Sequence, residues 1–199
     1  MPTQCFWNPT TTPQSIRILP GTKGEPFLEV SLHMQVGSAV HVYCPQKNNG
    51  IACPICAEAK KWWEEGKRQN NALLIKRAQS LFCRRYYISA ILVRGEENLG
   101  VRWWLYQKKE FETLLDIVLD PQYGDITSSN RGFDLSIHKK LDDTVAVLEI
   151  NAQSSPLQQH EHIDYSVFLQ ADPPLEELWE QRTSLELEIL LKESSFSHT

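Results

Sequence analysis

The stretch "LFCRRYYISAILVRGEENLGVRWWLYQKKEFETLLDIVLD", residues 81–120, decides how the rest of the chain is read. Its first thirteen residues are long, aromatic and partly β-branched, the strongest strand signal in the sequence. "GEEN" reads as a hairpin turn and "GVRWWLYQ" as the return strand. "KKEFETLLDIVLD" then carries Phe111, Leu114, Leu115 and Val118 at helical spacing, and Pro121 stops it. Strands joined by a hairpin, with a helix after the pair, do not fit a strict strand–helix alternation.

The flanking segments extend this pattern. "SIRILP" is a short strand ended by Pro20 and Gly21. "PFLEVSLHMQV" is a second strand, and "SAVHVYC" a third after a turn at Gly37. Residues 44–56 are rich in turn formers, and "AEAKKWWEEGKRQNN" is helical to about Gly66. Beyond the loop "YGDITSSNRG", "FDLSIHK" and "TVAVLEINA" form a hairpin around "KLDD". "DPPLEELWEQRTSLELEILLKE" has Pro at its start and leucines at helical spacing, a C-terminal helix. The expected fold is mainly β with α. It is a five-stranded OB-type barrel over residues 15–155 with peripheral helices and a zinc subdomain inserted at about 33–66. Residues 1–14 form a flexible arm and 156–199 an acidic segment with a helix.

Composition is that of a globular domain, 41% hydrophobic and 23% charged. No apolar run approaches the roughly 18 residues of a membrane span. The N-terminus "MPTQCFWNPTTTPQ" lacks the basic and then apolar pattern of a leader. A cytoplasmic, reducing setting is expected, and five cysteines, an odd number, argue against a disulfide framework. The net charge of -5 divides unevenly. Residues 60–109 hold twelve Lys and Arg against four acids, whereas 156–199 hold nine acids against two bases. A basic centre suits a polyanion, and an acidic tail suits a separate role, including competition for the basic centre.

Chemistry first shows in "HVYCPQKNNGIACPIC", residues 41–56. A Cys-x-x-Cys pair alone fits a redox site, but that reading leaves Cys44 without a role. A zinc site uses all three sulfurs: Cys53 and Cys56 form a knuckle, and Cys44 adds a third ligand across a short loop. The fourth is a histidine, either His41, favoured by local spacing, or His33 on the preceding strand. Four protein ligands make such a site structural. Cys83 lies in a strand and is expected to be a packed residue.

Nine of the nineteen aromatic side chains fall within residues 62–111, a stretch that largely coincides with the basic segment. Alternation along "VRWWLYQ" puts Val101, Trp103 and Leu105 on one face, expected to be the core side. Arg102, Trp104 and Tyr106 take the other. Cations that follow phosphates and rings that accept bases are what single-stranded nucleic acid needs. Arg84, Arg85, Tyr86 and Tyr87 would extend the platform, and Lys76, Arg77, Lys108 and Lys109 would edge it.

With these segments in order, the chain resembles the zinc-containing phage single-stranded DNA-binding (helix-destabilising) proteins. "IRILP" resembles a motif near the start of that family's core. "EPFLEVSLHMQVG" with "VYCP" and "CPIC" resembles its zinc subdomain, and "LIKRAQSLFCRRYYISAILVRG" its basic segment and DNA-contacting strand. "VRWWLYQKKEF" and "YGDITSSNRGFDLSIHKK" resemble the strands that follow. The resemblance spans about residues 6–155. It implies His33, Cys44, Cys53 and Cys56 as zinc ligands, with Lys76 and Arg77 on phosphates and Tyr86, Trp104 and Tyr106 at base-stacking positions. It also implies a non-enzymatic protein that coats and protects single-stranded DNA in phage replication, recombination and repair. The acidic segment would recruit replication or recombination proteins, and copies would self-associate on DNA. Two other classes remain open: a zinc-ribbon interaction or transcription-regulating module, and a DNA-processing enzyme with Asp125, Asp134, Asp142 and Asp143 as its carboxylates. Stacking platforms accept both DNA and RNA, so the residues leave that choice open.

Overall fold

A computed structural model describes residues 6–21, 23–140, 146–151, 153–159, 164–170 and 175–196. The chain divides into two compact units: residues 1–29 with 86–173, and residues 30–85 with 174–199. The expected boundary at 155 is therefore replaced by one in which the C-terminal helices belong with the cysteine-bearing segment.

The first unit is built on a sheet. Its strands are β1 (Phe6–Trp7), β2 (Gln14–Ile18), the greater part of β5 (Arg84–Val93), β6 (Arg102–Tyr106), β7 (Leu135–Lys139) and β8 (Ala146–Ile150). They lie in the order β1-β6-β5-β2-β7-β8, and among the described residues no pairing joins the two ends of that path. All neighbours are antiparallel except β1, which runs parallel to β6 with Phe6 opposite Trp103 and Trp7 opposite Trp104. The arm expected over 1–14 is thus anchored from Phe6: the Trp7 indole is too large an apolar surface to leave in water, and it is buried in the core. Helix α4 (Lys108–Leu119) follows β6, started by a reciprocal cap. The buried Glu110 carboxylate accepts from the Gln107 and Ala146 backbone amides at 3.1 and 2.9 Å, tying the helix to β8.

The register reverses the faces expected for β6. Trp104 and Tyr106 are 1% and 2% exposed, whereas Arg102, Trp103 and Leu105 are half-buried. Alternation was legible; which face turned inward was not. Trp104 meets Trp7 edge-on at 5.8 Å and Tyr106 at 4.4 Å. Tyr87 stacks on Phe111 at 3.8 Å, and Phe111 meets Phe27 edge-on. The Tyr106 hydroxyl pairs with Ser89 Oγ at 2.8 Å, and Ser89 donates to the Pro26 carbonyl. Burial raises the Tyr106 pKa, so the phenol stays protonated.

Asp134 organises the other side of the same sheet. Arg17, fully buried on β2, donates to it from Nε at 2.8 Å, and Arg94 donates through Nε at 3.1 Å and Nη2 at 3.0 Å. Ser155 Oγ adds a bond to Asp134 at 3.0 Å, and the remaining guanidinium protons reach the carbonyls of Ser128, Ser155, Pro156 and Leu157. Gly132 lies against this network: a Cβ there would stand 2.6 Å from Arg17 Nη1. Asp134→Ala would strand two buried guanidinium groups, an expected loss of about 3–5 kcal/mol of stability. Urea unfolding of the pure variant checks this, and Asp134→Asn, which keeps the shape, should recover part of the loss.

The second unit holds a hairpin and helices. Strand β3 (Leu28–Val36), most of which lies here, pairs with β4 (Ala39–Tyr43). The loop after β4 contains a short helix, α1 (Pro45–Asn49), closed by Gly50 in the left-handed conformation at φ 73°. Helix α2 (Pro54–Arg68) runs beyond the expected end at Gly66 because that glycine serves packing, not termination. A Cβ on Gly66 would lie 2.9 Å from Ile75 of α3 (Ala72–Leu81). The C-terminal helix is two pieces, α5 (Leu175–Leu178) and α6 (Ser184–Phe196). Thr183 and Glu186 cap α6, with Glu186 accepting from the Thr183 amide and hydroxyl at 2.7 Å. Leu187 and Leu190 of α6 are buried among Val36, Val42, Ile55 and Leu81. The acidic segment is therefore, from Ser184, part of a core. Leu190→Ala should cost about 2–5 kcal/mol; a thermal scan that showed no shift would mean α6 does not hold this unit together.

Candidate metal centre and basic aromatic surface

His33, Cys44, Cys53 and Cys56 converge in the second unit, their ligand atoms all within 4.8 Å of one another. The two Cys-Pro dipeptides explain how. Cys44 caps α1 and Cys53 caps α2, each in extended backbone, and the proline that follows sits in the first turn, where a missing N–H costs nothing. Cys56 then falls in the first turn of α2, two residues after its proline. Asn48 holds the loop to β3: it accepts from the Ser31 amide at 2.8 Å and donates to the Ser31 and Cys44 carbonyls at 2.8 and 3.0 Å.

The hairpin register selects between the histidines. His33 lies opposite Val42 and is buried, whereas His41 lies opposite Met34, on the other face, and is exposed. His41 is thus outside the cluster. The His33 ring is oriented by its Nδ1–H, which donates to the Leu81 carbonyl at the end of α3 at 2.7 Å, leaving Nε2 facing the sulfurs. Nε2 stands 3.4 Å from Cys53 Sγ and 3.6 Å from Cys56 Sγ, and Cys44 Sγ is 3.5 Å from Cys56 Sγ. Ligand atoms of a tetrahedral site with bonds of about 2.0–2.3 Å stand roughly 3.5–3.8 Å apart, so these edges have the size of such a site. The group can hold a metal ion.

Its protonation fits that role. Burial opposes charging the His33 ring, but the sulfurs of Cys44 and Cys53 and the Leu81 carbonyl outweigh it and raise the pKa to about 9. The neighbouring sulfurs of Cys53 and Cys56 push the Cys44 thiol down, while Cys56 and Cys83 are pushed up. Without metal the cluster holds an imidazolium among thiols that share a thiolate. That pairing stabilises the metal-free fold below the unfolded histidine pKa of about 6.5 and is lost as the pH rises through about 9. Metal binding displaces the Nε2 proton and thiol protons, so its affinity runs the opposite way and rises with pH. Cys83, half-buried, packs against the same core as expected, but it lies just before β5 and not within the strand.

The expected nucleic-acid residues separate into three groups. Lys76 on α3 and Arg84 and Arg85 at the start of β5 are exposed, and Arg77 and Tyr86 are half-buried. Lys109 is exposed, but Lys108 is paired with Glu112 at 3.1 Å and Arg102 with Glu96. Trp104 and Tyr106 belong to the core of the first unit, so no base can stack on them while that unit keeps this packing. Two rings outside the expected set stand with the exposed cations. Arg77 lies over Trp62 at 5.1 Å and Lys67 over Trp63 at 4.7 Å, with both indoles half-buried on α2. The Trp63–Lys67 pair follows the i, i+4 helical spacing and was there to be found in "KKWWEEGK". Of the carboxylates considered for catalysis, Asp134 is held by Arg17 and Arg94, and Asp125 closes a turn with Thr127 at 2.7 and 2.9 Å. Asp142 and Asp143 lie outside the described residues.

No protein-family model matches the chain, and no curated protein matches it significantly. Among the described residues no helix is long and apolar enough to cross a membrane.

Cys53→Ser and His33→Ala should each release bound metal, and His41→Ala should retain it. Metal analysis of the purified variants checks all three. Retention falling as the pH is lowered is the expected titration, and a pH-independent content would remove thiolate ligation.

Proposed function

We propose that this chain is a single-stranded DNA-binding protein whose zinc-braced unit presents a basic aromatic surface to the strand. The observation that carries the reading is the cluster of Lys67 over Trp63, Arg77 over Trp62, and the exposed Lys76 and Arg84 on one compact unit. Cations neutralise phosphates, and an indole or a guanidinium plane takes a base at about 1–3 kcal/mol. Zinc is the metal best suited to three thiolates and an imidazole in a closed tetrahedral set. The sheet supports an OB-type reading. Counted along the chain, β2, β5, β6, β7 and β8 lie in the order third, second, first, fourth, fifth, with α4 between the third and fourth. The commitment of Asp134 and Asp125 to structural bonds supports a binding protein over an enzyme. The phage setting and the roles in replication, recombination and repair follow from the resemblance.

A protein-interaction module is the second reading. Leu185 and Ile189, one turn apart on α6, remain 66% and 47% exposed beside Glu186 and Glu188, a face suited to recruiting a partner.

Titration of the tryptophan fluorescence with oligo(dT) tests the proposal. Quenching that weakens steeply with salt, and a much weaker response to duplex, is the expected result. Replacing Lys76 and Arg84 by alanine should lower the salt slope by about 0.7 for each phosphate that is no longer neutralised. An absence of binding at low salt would favour the protein-interaction reading.

A further inference from the structure

A pocket of about 220 Å³ opens on the second unit between α2 and α6. Trp62 and Leu191, both packed against the core of that unit, form its apolar wall, and Glu58, Glu188 and Lys192 supply its polar rim. The volume is smaller than that of a site for a drug-sized ligand and suits one flat ring system. The half-buried indole is the surface on which such a ring can lie.

The spacing of the polar groups narrows the ligand. Glu188 and Lys192 are exposed and one helical turn apart on α6, so they rise side by side, with about 5–6 Å between their Cβ atoms. An ionised glutamate offers two acceptor oxygens and no donor, and a lysine offers only donors. The rim therefore reads acceptor, acceptor, donor. A base edge that fits it reads donor, donor, acceptor. The Watson–Crick edge of guanine does so, with N2–H, N1–H and O6 in a row. Adenine and cytosine place an acceptor beside their amino group, and thymine flanks its one N–H with two carbonyls. Each of these turns a lone pair towards the carboxylate. Glu58, which accepts from Lys61 at 3.4 Å, closes the α2 side. An organic cation fits less well, because it would meet Lys192 and because Arg77 already faces the Trp62 ring at 5.1 Å.

We propose that this pocket binds a guanine base stacked on Trp62, with Glu188 accepting from N1–H and N2–H and Lys192 donating to O6. Where a single strand carries the guanine, the proposal rests on the function proposed above and gives that surface a base preference. Where a free nucleotide carries it, the proposal stands without that reading.

The test is an anisotropy titration of the metal-loaded full chain with a short labelled oligo(dT) and with the same strand carrying one central guanine, at one low salt concentration. The expected result is an affinity about fivefold or more higher for the guanine strand. Hypoxanthine, which lacks the N2 amino group, should return the affinity towards that of oligo(dT). Glu188→Gln, at an exposed position, should bring the ratio of the two affinities to about one, because an amide offers one acceptor and one donor where the carboxylate offers two acceptors. Lys192→Met should lower the ratio. Equilibrium dialysis against guanosine and adenosine monophosphates is the second arm, with the guanine nucleotide retained over the adenine one by the wild-type chain and not by Glu188→Gln. Equal affinities for the two strands, or a guanine preference that survives Glu188→Gln, would overturn the proposal. If neither strand binds, the single-stranded DNA reading fails by itself. The dialysis then decides the pocket: guanine selectivity lost in Glu188→Gln supports it, and equal retention of the two nucleotides overturns it.

Discussion

A buried histidine in a β-strand is the constraint on which the second unit depends. His33 cannot sit in an apolar core with both ring nitrogens unpaired, because each would cost a full desolvation penalty. One nitrogen is satisfied by the Leu81 carbonyl and the other faces the sulfurs of Cys53 and Cys56. Those two interactions draw the α1–α2 loop and the end of α3 onto one strand. Val36, Val42, Ile55 and Leu81 then form a core around the polar centre, and α6 adds Leu187 and Leu190 to it. The metal-binding group and the hydrophobic core are thus one construction in this unit.

The first unit solves a different problem. It has many large rings and few residues in which to bury them. Trp7, Trp104, Tyr106, Tyr87 and Phe111 pack as a continuous series of edge and stacked contacts. The polar tip of Tyr106 is consumed by Ser89 within the same series. On the other side, the Asp134 network holds two guanidinium groups out of water and surrounds them with acceptors. Such a network adds little net stability over an apolar replacement, but it is intolerant of losing one member. It therefore fixes how residues 128–134 and 155–157 cross the ends of β2 and β5.

Charge alone gave a partial picture of where function lies. Arg17, Arg94 and Arg102 count toward the basic character of the chain but are spent on carboxylates within it. The exposed cations of the second unit include those on α2, α3 and the start of β5. There Lys67 lies over Trp63, one turn before it on α2, and Arg77 of α3 lies over Trp62 of α2.

Much of the local structure was legible because it follows from periodicity and from residues with fixed conformational habits. The strands at 14–18, 28–36, 39–43 and 84–93, the α4 helix and the three-cysteine centre were all readable in this way. What the amino-acid sequence could not decide were choices between two equal alternatives. Alternation along "VRWWLYQ" defines two faces but not which is buried, since both carry a tryptophan. His33 and His41 both have workable spacing, and only the strand register puts one inside. Arg17 and Asp134 are 117 positions apart, and nothing local marks them as partners. These decisions belong to tertiary structure, because burial and pairing depend on which segments meet, and the sequence by itself determines only what each segment is able to offer.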